Sequence, residues 1–110
     1  MNSILTTIKK LLGIEEDYTH FDGDIIVHIN SALLSLNQLG VGPADGFYII
    51  GKEECWSDLT DNNVYNMYLP TYIYLKVKLV FDPPSNSFVI ESFKRQIEEL
   101  EWILNLQAER

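Results

Sequence analysis

Apolar residues recur at helical spacing at both ends of the chain and lose that spacing in its middle. Ser3 precedes Ile4, Leu5, Ile8, Leu11 and Leu12, and Gly13 follows them. A serine ahead of the first turn caps free N–H groups, and a glycine past the last turn ends the helix, so a short first helix is predicted. Residues 14–21 form an acidic loop. Asp22 is then expected to cap a second helix, with Asp24 favourable near the positive end of its dipole. Ile25, Ile29, Ala32, Leu36 and Leu39 step by four, three, four and three before Gly40. That stripe faces a core or a coiled-coil neighbour.

Residues 41–61 are irregular. Gly42-Pro43 and Asp45-Gly46 are turn dipeptides, residues 47–50 could make a short strand, and Trp56–Leu59 a single helical turn capped by Ser57. No partner strand is evident, so at most a two-stranded ribbon is expected. Residues 64–81 carry two patterns. Ile73, Leu75, Val77 and Leu79 alternate with Tyr72, Tyr74, Lys76 and Lys78 as in a strand, while Tyr65, Tyr68, Tyr72, Leu75 and Leu79 keep helical steps. Such a run is much longer than a typical strand, so helix is preferred. Pro70 then falls in its first turn or at a kink. Asp82-Pro83-Pro84 stops the segment. Ser85, Asn86 or Ser87 caps a last helix with Ile90, Phe93, Ile97, Leu100 and Leu104 on one stripe and Glu91 spaced to pair with Arg95. Val89, Trp102, Ile103 and Leu106 lie off that stripe; they either widen the core face or meet another chain. The pattern predicts an all-α bundle of about four helices with a long irregular middle loop.

Composition adds limits. The 110 residues are 46% hydrophobic, with a net charge of −8 and no low-complexity run. They suffice for one ordinary domain. Acidic residues crowd the stretch holding Glu15, Glu16, Asp17, Asp22 and Asp24. No Lys/Arg stripe of the kind that binds nucleic acid forms. The tyrosines Tyr65, Tyr68, Tyr72 and Tyr74 lack the basic groove that accompanies a base-stacking platform and suit a protein interface better. Cys55 is the one cysteine, so no internal disulfide is needed, and its acidic neighbours Glu53 and Glu54 disfavour a thiolate.

Lys9 and Lys10 follow the first apolar residues instead of preceding them, unlike a secretion signal, and no apolar run reaches the ~18 residues of a membrane span. A protein made in the cytosol, with no membrane association, is expected. His20 and His28 do not make a zinc set, the acidic loop lacks the alternation of a calcium loop, and no phosphate-cradling glycine loop or nucleophile motif occurs. No enzyme activity, cofactor or metal is expected. The residues alone describe an acidic helical protein–protein interaction module.

Three blocks carry a resemblance. They are Leu36-Asn37-Gln38-Leu39-Gly40-Val41-Gly42-Pro43, then Thr71-Tyr72-Ile73-Tyr74-Leu75-Lys76-Val77-Lys78-Leu79-Val80-Phe81-Asp82-Pro83-Pro84, and Glu91-Ser92-Phe93-Lys94-Arg95-Gln96-Ile97-Glu98-Glu99-Leu100-Glu101-Trp102. In this order they closely resemble the head-tail connector (adaptor) family of siphophages and prophages, often described as DNA packaging proteins. The resemblance runs from Ile4 to about Asn105, and Pro70 departs from the family pattern.

The resemblance implies a connector domain over residues 1–110 that assembles into a ring, typically dodecameric, beneath the portal protein. The ring extends the DNA channel after packaging and is a platform for the stopper or tail-completion protein. DNA passes through without specific binding. The chain would work in the host cytoplasm during assembly and then in the virion neck; some relatives stay monomeric until they meet the portal.

Trp102, Ile103 and Leu106 are candidates for the contact with a neighbour or the portal, and Phe47, Tyr48, Ile49 and Trp56, expected to project from the middle, are second candidates. Glu15, Glu16, Asp17, Glu53, Glu54 and Asp58 are candidates for lining the channel. The alternative is a small helical prophage regulator acting as a dimer.

Overall fold

The computed structural model describes residues 3–108. In chain order it contains α1 (Ile4–Leu12), α2 (Asp22–Gln38), the single turn α3 (Trp56–Leu59), α4 (Asn63–Phe81) and α5 (Ser87–Ala108). The fold is an all-helical bundle, as the periodicity predicts. No β-ribbon forms among the described residues; a lone antiparallel bridge joins Ser3 to Cys55.

Capping residues set the boundaries. Ser3 Oγ accepts from the Thr6 N–H at 3.2 Å, and Gly13 closes α1 in the left-handed region at φ 83°. The predicted cap of α2 needs correction. Phe21 holds the N-cap position without a side-chain bond, and Asp22, the first helical residue, turns its carboxylate to Lys9 Nζ at 2.9 Å. The cap of α3 is Cys55 and not Ser57. Its N–H donates to Asp58 Oδ2 at 2.8 Å, which satisfies a group the helix itself leaves open. Asn62 Oδ1 caps α4 by accepting from Val64 and Tyr65, and Asn86 Oδ1 accepts from Phe88 and Val89 at the start of α5.

α4 is the central element, in contact with α1, α2 and α5. It buries Tyr65, Leu69, Tyr72, Ile73, Leu75 and Val77, which point to more than one side of the helix. A helix packed on several sides has no single apolar stripe, which is why its sequence carries two competing periods. Pro70 lies inside α4, not in its first turn. It withholds an N–H from the Asn66 carbonyl, a loss offset by the packing around its neighbours Leu69 and Tyr72.

The core runs continuously from Ile4, Leu5 and Ile8 of α1 through Ile25, Ile29, Leu33 and Leu36 of α2 to α4. Four residues of the middle, Val41, Ile49, Trp56 and Leu59, join it. α5 lies across α4 and buries only Ile97 and Leu104 outright. In the turn after α2, Val41 is buried while residues 43–45 are exposed. Gly42 has φ 90°, and a Cβ there would stand 2.9 Å from Leu59 Cδ1, so both conformation and space call for glycine.

Candidate functional site

α5 has 22 residues and extends roughly 33 Å. Its inward stripe is fixed by Ile97 and Leu104, so residues half a turn away face out. Phe88, Arg95, Glu99, Trp102 and Leu106 share that outer face by helical spacing. Phe88 is 82% exposed and Trp102 is 66% exposed, far more than a side chain serving its own core, and Leu106 is partly exposed beside them. Ile103 is half-buried at the margin.

Tyr72 ties α5 to α4: its hydroxyl donates to Glu101 Oε2 at 2.8 Å. Burial pushes the Tyr72 hydroxyl well above the usual tyrosine range, and the hydrogen bond to Glu101 and the charge of that carboxylate push it further. The Lys76 ammonium stands 5.7 Å from the centre of the same ring. Tyr72 therefore stays neutral and donates, which holds α5 in one register on α4.

A second apolar surface lies on α2 and the adjoining loop. Val27 and Leu34 are exposed one heptad apart, and Tyr48 and Ile50 are exposed in the loop. Asn30, between Val27 and Leu34, brings the two parts together. Its Oδ1 accepts from the Ile49 N–H at 2.8 Å and its Nδ2 donates to the Ile49 carbonyl at 3.0 Å. The grip drives the Ile49 side chain into the core, where it is 1% exposed.

The expectation that the middle projects as a unit is thus corrected. Ile49 is buried, and Phe47 is half-buried against the core. Trp56 is 8% exposed, with its indole N–H donating to Thr7 Oγ1 at 3.1 Å. A tryptophan that finds both apolar cover and an acceptor inside the molecule has no reason to face out. Of the four, Tyr48 is exposed.

The acidic residues divide in two. Glu15, Glu16 and Asp17 are exposed on the 14–21 loop, as is Glu53 further on. Glu54 and Asp58 are engaged locally: Glu54 accepts from the Ile50 and Gly51 N–H groups, and Asp58 closes the turn at Cys55.

Lys9 fixes the acidic loop. It is 2% exposed, and its ammonium donates to the carbonyls of Glu16 at 2.9 Å and Tyr18 at 2.8 Å while pairing with Asp22. An open cleft of about 700 Å³ lies over it, lined by Glu15, Glu16, Asp17, Asp22 and Lys52 among others. Sequence reading missed this lysine, though its place on the apolar side of α1 was a signal. It also missed Asn30, for which spacing gives none.

The two histidines serve aromatic packing. His20 meets Phe21 edge-on at 4.8 Å between centres, and His28 lies 6.4 Å from Phe81. Among the described residues no group of three or more His, Cys, Asp or Glu side chains could hold a metal ion. No described helix is long and apolar enough to cross a membrane.

The geometry defines a small all-helical protein whose most exposed large apolar side chains sit on α2, on α5, on one loop, and at Met67 and Val80 of α4. Residues 4–110 match the family described as phage connector protein, and the chain belongs to that family. No curated protein and no solved structure matches it. Membership gives the chain a structural, non-enzymatic role in phage assembly, in the virion neck and in contact with other virion proteins.

Proposed function

We propose that the whole chain acts as one ring-forming head-tail connector domain. It docks beneath the portal once the genome is packaged, continues the DNA channel, and gives the stopper or tail-completion protein a surface to bind. The observation that carries this reading is the outer face of α5, where Phe88, Trp102 and Leu106 are exposed on a helix whose core stripe is already filled. A closed ring needs two unlike faces on each subunit that fit one another. The α5 face, with Ile103 at its margin, and the α2 face, with Val27 and Leu34, supply such a pair. Tyr48 and Ile50 remain for the portal or the stopper.

In this reading Glu15, Glu16 and Asp17 line the channel together with Glu53. A like-charged wall repels a polyanion and lets it slide. Reversing these charges to lysine should slow genome ejection; unchanged infectivity would remove them from the lumen.

Sedimentation velocity over a wide concentration range, with negative-stain images of the same samples, tests the ring. Annular particles of roughly ten or more subunits, formed alone or on added portal, are expected. A discrete dimer at every concentration would favour a regulatory protein instead. A monomer that portal does not recruit would sink the connector assignment.

A further inference from the structure

We infer that the loop at residues 47–50 is one half of a β-ladder, and that it receives an extended segment of another virion protein on its free edge. The two bonds between Asn30 and Ile49 carry the argument. The N–H and C=O of one residue point to the same side of the chain only when that residue is extended, as in a hydrogen-bonded pair of an antiparallel ladder. The Asn30 amide meets both groups at 2.8 Å and 3.0 Å, and so takes the place of a neighbouring strand on the α2 side.

In an extended chain the next residue presents its N–H and C=O to the opposite side. For Tyr48 that side is solvent, and neither group bonds to another among the described residues. The side chains alternate in the same way: Ile49 points into the core, while Tyr48 and Ile50 point out. The Ile50 N–H on that side is held by Glu54 Oε2 at 2.9 Å, so the open edge is the Tyr48 N–H and C=O. An open backbone pair beside exposed apolar side chains is the surface that strand addition recognises, with main-chain bonds for affinity and side chains for selection.

The charges nearby refine the partner. Lys52 lines the acidic cleft, leaving Asp45 and Glu53 exposed on either side of the loop without an ion partner among the described residues. The fitting segment is extended, apolar at alternate positions and flanked by a lysine or arginine. A second copy of this chain fits less well. Self-pairing of two such loops would close a twofold dimer, and a ring needs unlike faces. The partner's identity, though not the open edge, rests on the connector reading.

Amide hydrogen exchange tests the inference, comparing the isolated chain with necks purified from particles assembled with it. The Tyr48 amide should exchange freely in the isolated chain and about tenfold or more slowly in the neck. Tyr48→Pro removes an N–H that has no partner in the isolated chain. It should leave the melting midpoint nearly unchanged and lower plaque titre about tenfold or more, whereas Tyr48→Ala, which keeps the N–H, should lose less. If the chain enters necks and Tyr48 still exchanges freely, the strand inference fails and the connector reading stands. If the chain enters no neck, both fall. Protection that already arises in rings of the chain alone assigns the edge to a second copy and overturns the partner named here.

Discussion

Asn30 holds a loop in place by standing in for a strand, and its removal should be felt throughout the middle of the chain. Alanine at this position leaves the Ile49 N–H and C=O without partners in a partly buried setting. The expected loss is about 2–3 kcal/mol, read as a lower urea midpoint at unchanged slope. Asn30→Asp keeps an acceptor for the Ile49 N–H but sets a charge against its carbonyl, so it should recover little of that loss. Lys9 is the stronger case. Lys9→Met strands the Asp22 carboxylate and two backbone carbonyls, and should cost about 3 kcal/mol or more in the same measurement. A Lys10→Met control, at an exposed position, should change stability by less than about 0.5 kcal/mol.

Among the elements, α5 depends most on a few contacts. It is joined to the bundle chiefly through α4, and Tyr72 is its main polar tie. Tyr72→Phe should cost about 1 kcal/mol at neutral pH. The same tie gives a pH dependence whose sign is fixed. The folded-state value of Tyr72 is raised above the ordinary value of 10.0, so its stabilisation is complete below pH 10 and fades as pH rises through the folded-state value. The melting midpoint should therefore fall on the alkaline side of pH 10. In Tyr72→Phe that limb should be flatter, and an equal fall in both proteins would remove the assignment.

The elements also differ in how far the sequence disclosed them. α1, α2 and α5 each keep one buried stripe, so their periods read clearly; α4 is packed from several sides, and its length gave better guidance than its pattern. The caps of α2 and α3 went astray for a common reason. Asp22 and Ser57 have suitable side chains, but Lys9 claims the first and Cys55 occupies the position before the second. Trp56 and Ile49 were misplaced because their partners, Thr7 and Asn30, are remote in sequence. Spacing within a loop cannot report such a bond.

For the molecule as a whole, the outward face of α5 gives the most direct test. Trp102→Glu places a charge on an exposed residue, so the monomer should keep its melting midpoint within about 2 °C while any ring is lost in sedimentation velocity. Trp102→Phe should retain part of the assembly. Unaltered rings in the glutamate variant would move the contact elsewhere, and a large drop in melting midpoint would return Trp102 to the core. The sequence set Trp102 off the main stripe but left open whether it widens the core face or meets another chain; its exposure speaks against the first. The α2 face with Val27 and Leu34 was not legible there, because two apolar residues a heptad apart do not stand out beside a longer stripe.

The buried Lys9 has a consequence for how the neck meets changes in medium. Counterions weaken attraction between solvent-exposed charges beyond a Debye length, about 8 Å at physiological ionic strength, and reach buried pairs much less. The bolt that shapes the acidic loop, with Lys9 buried and Asp22 half-buried, is therefore screened much less than the exposed Glu15, Glu16 and Asp17. Raising the salt should dim the repulsion that this loop exerts without altering where its carboxylates stand. In the lumenal placement proposed above, its geometry would change little between dilute buffer and a densely packed genome, and chiefly the strength of its field would differ.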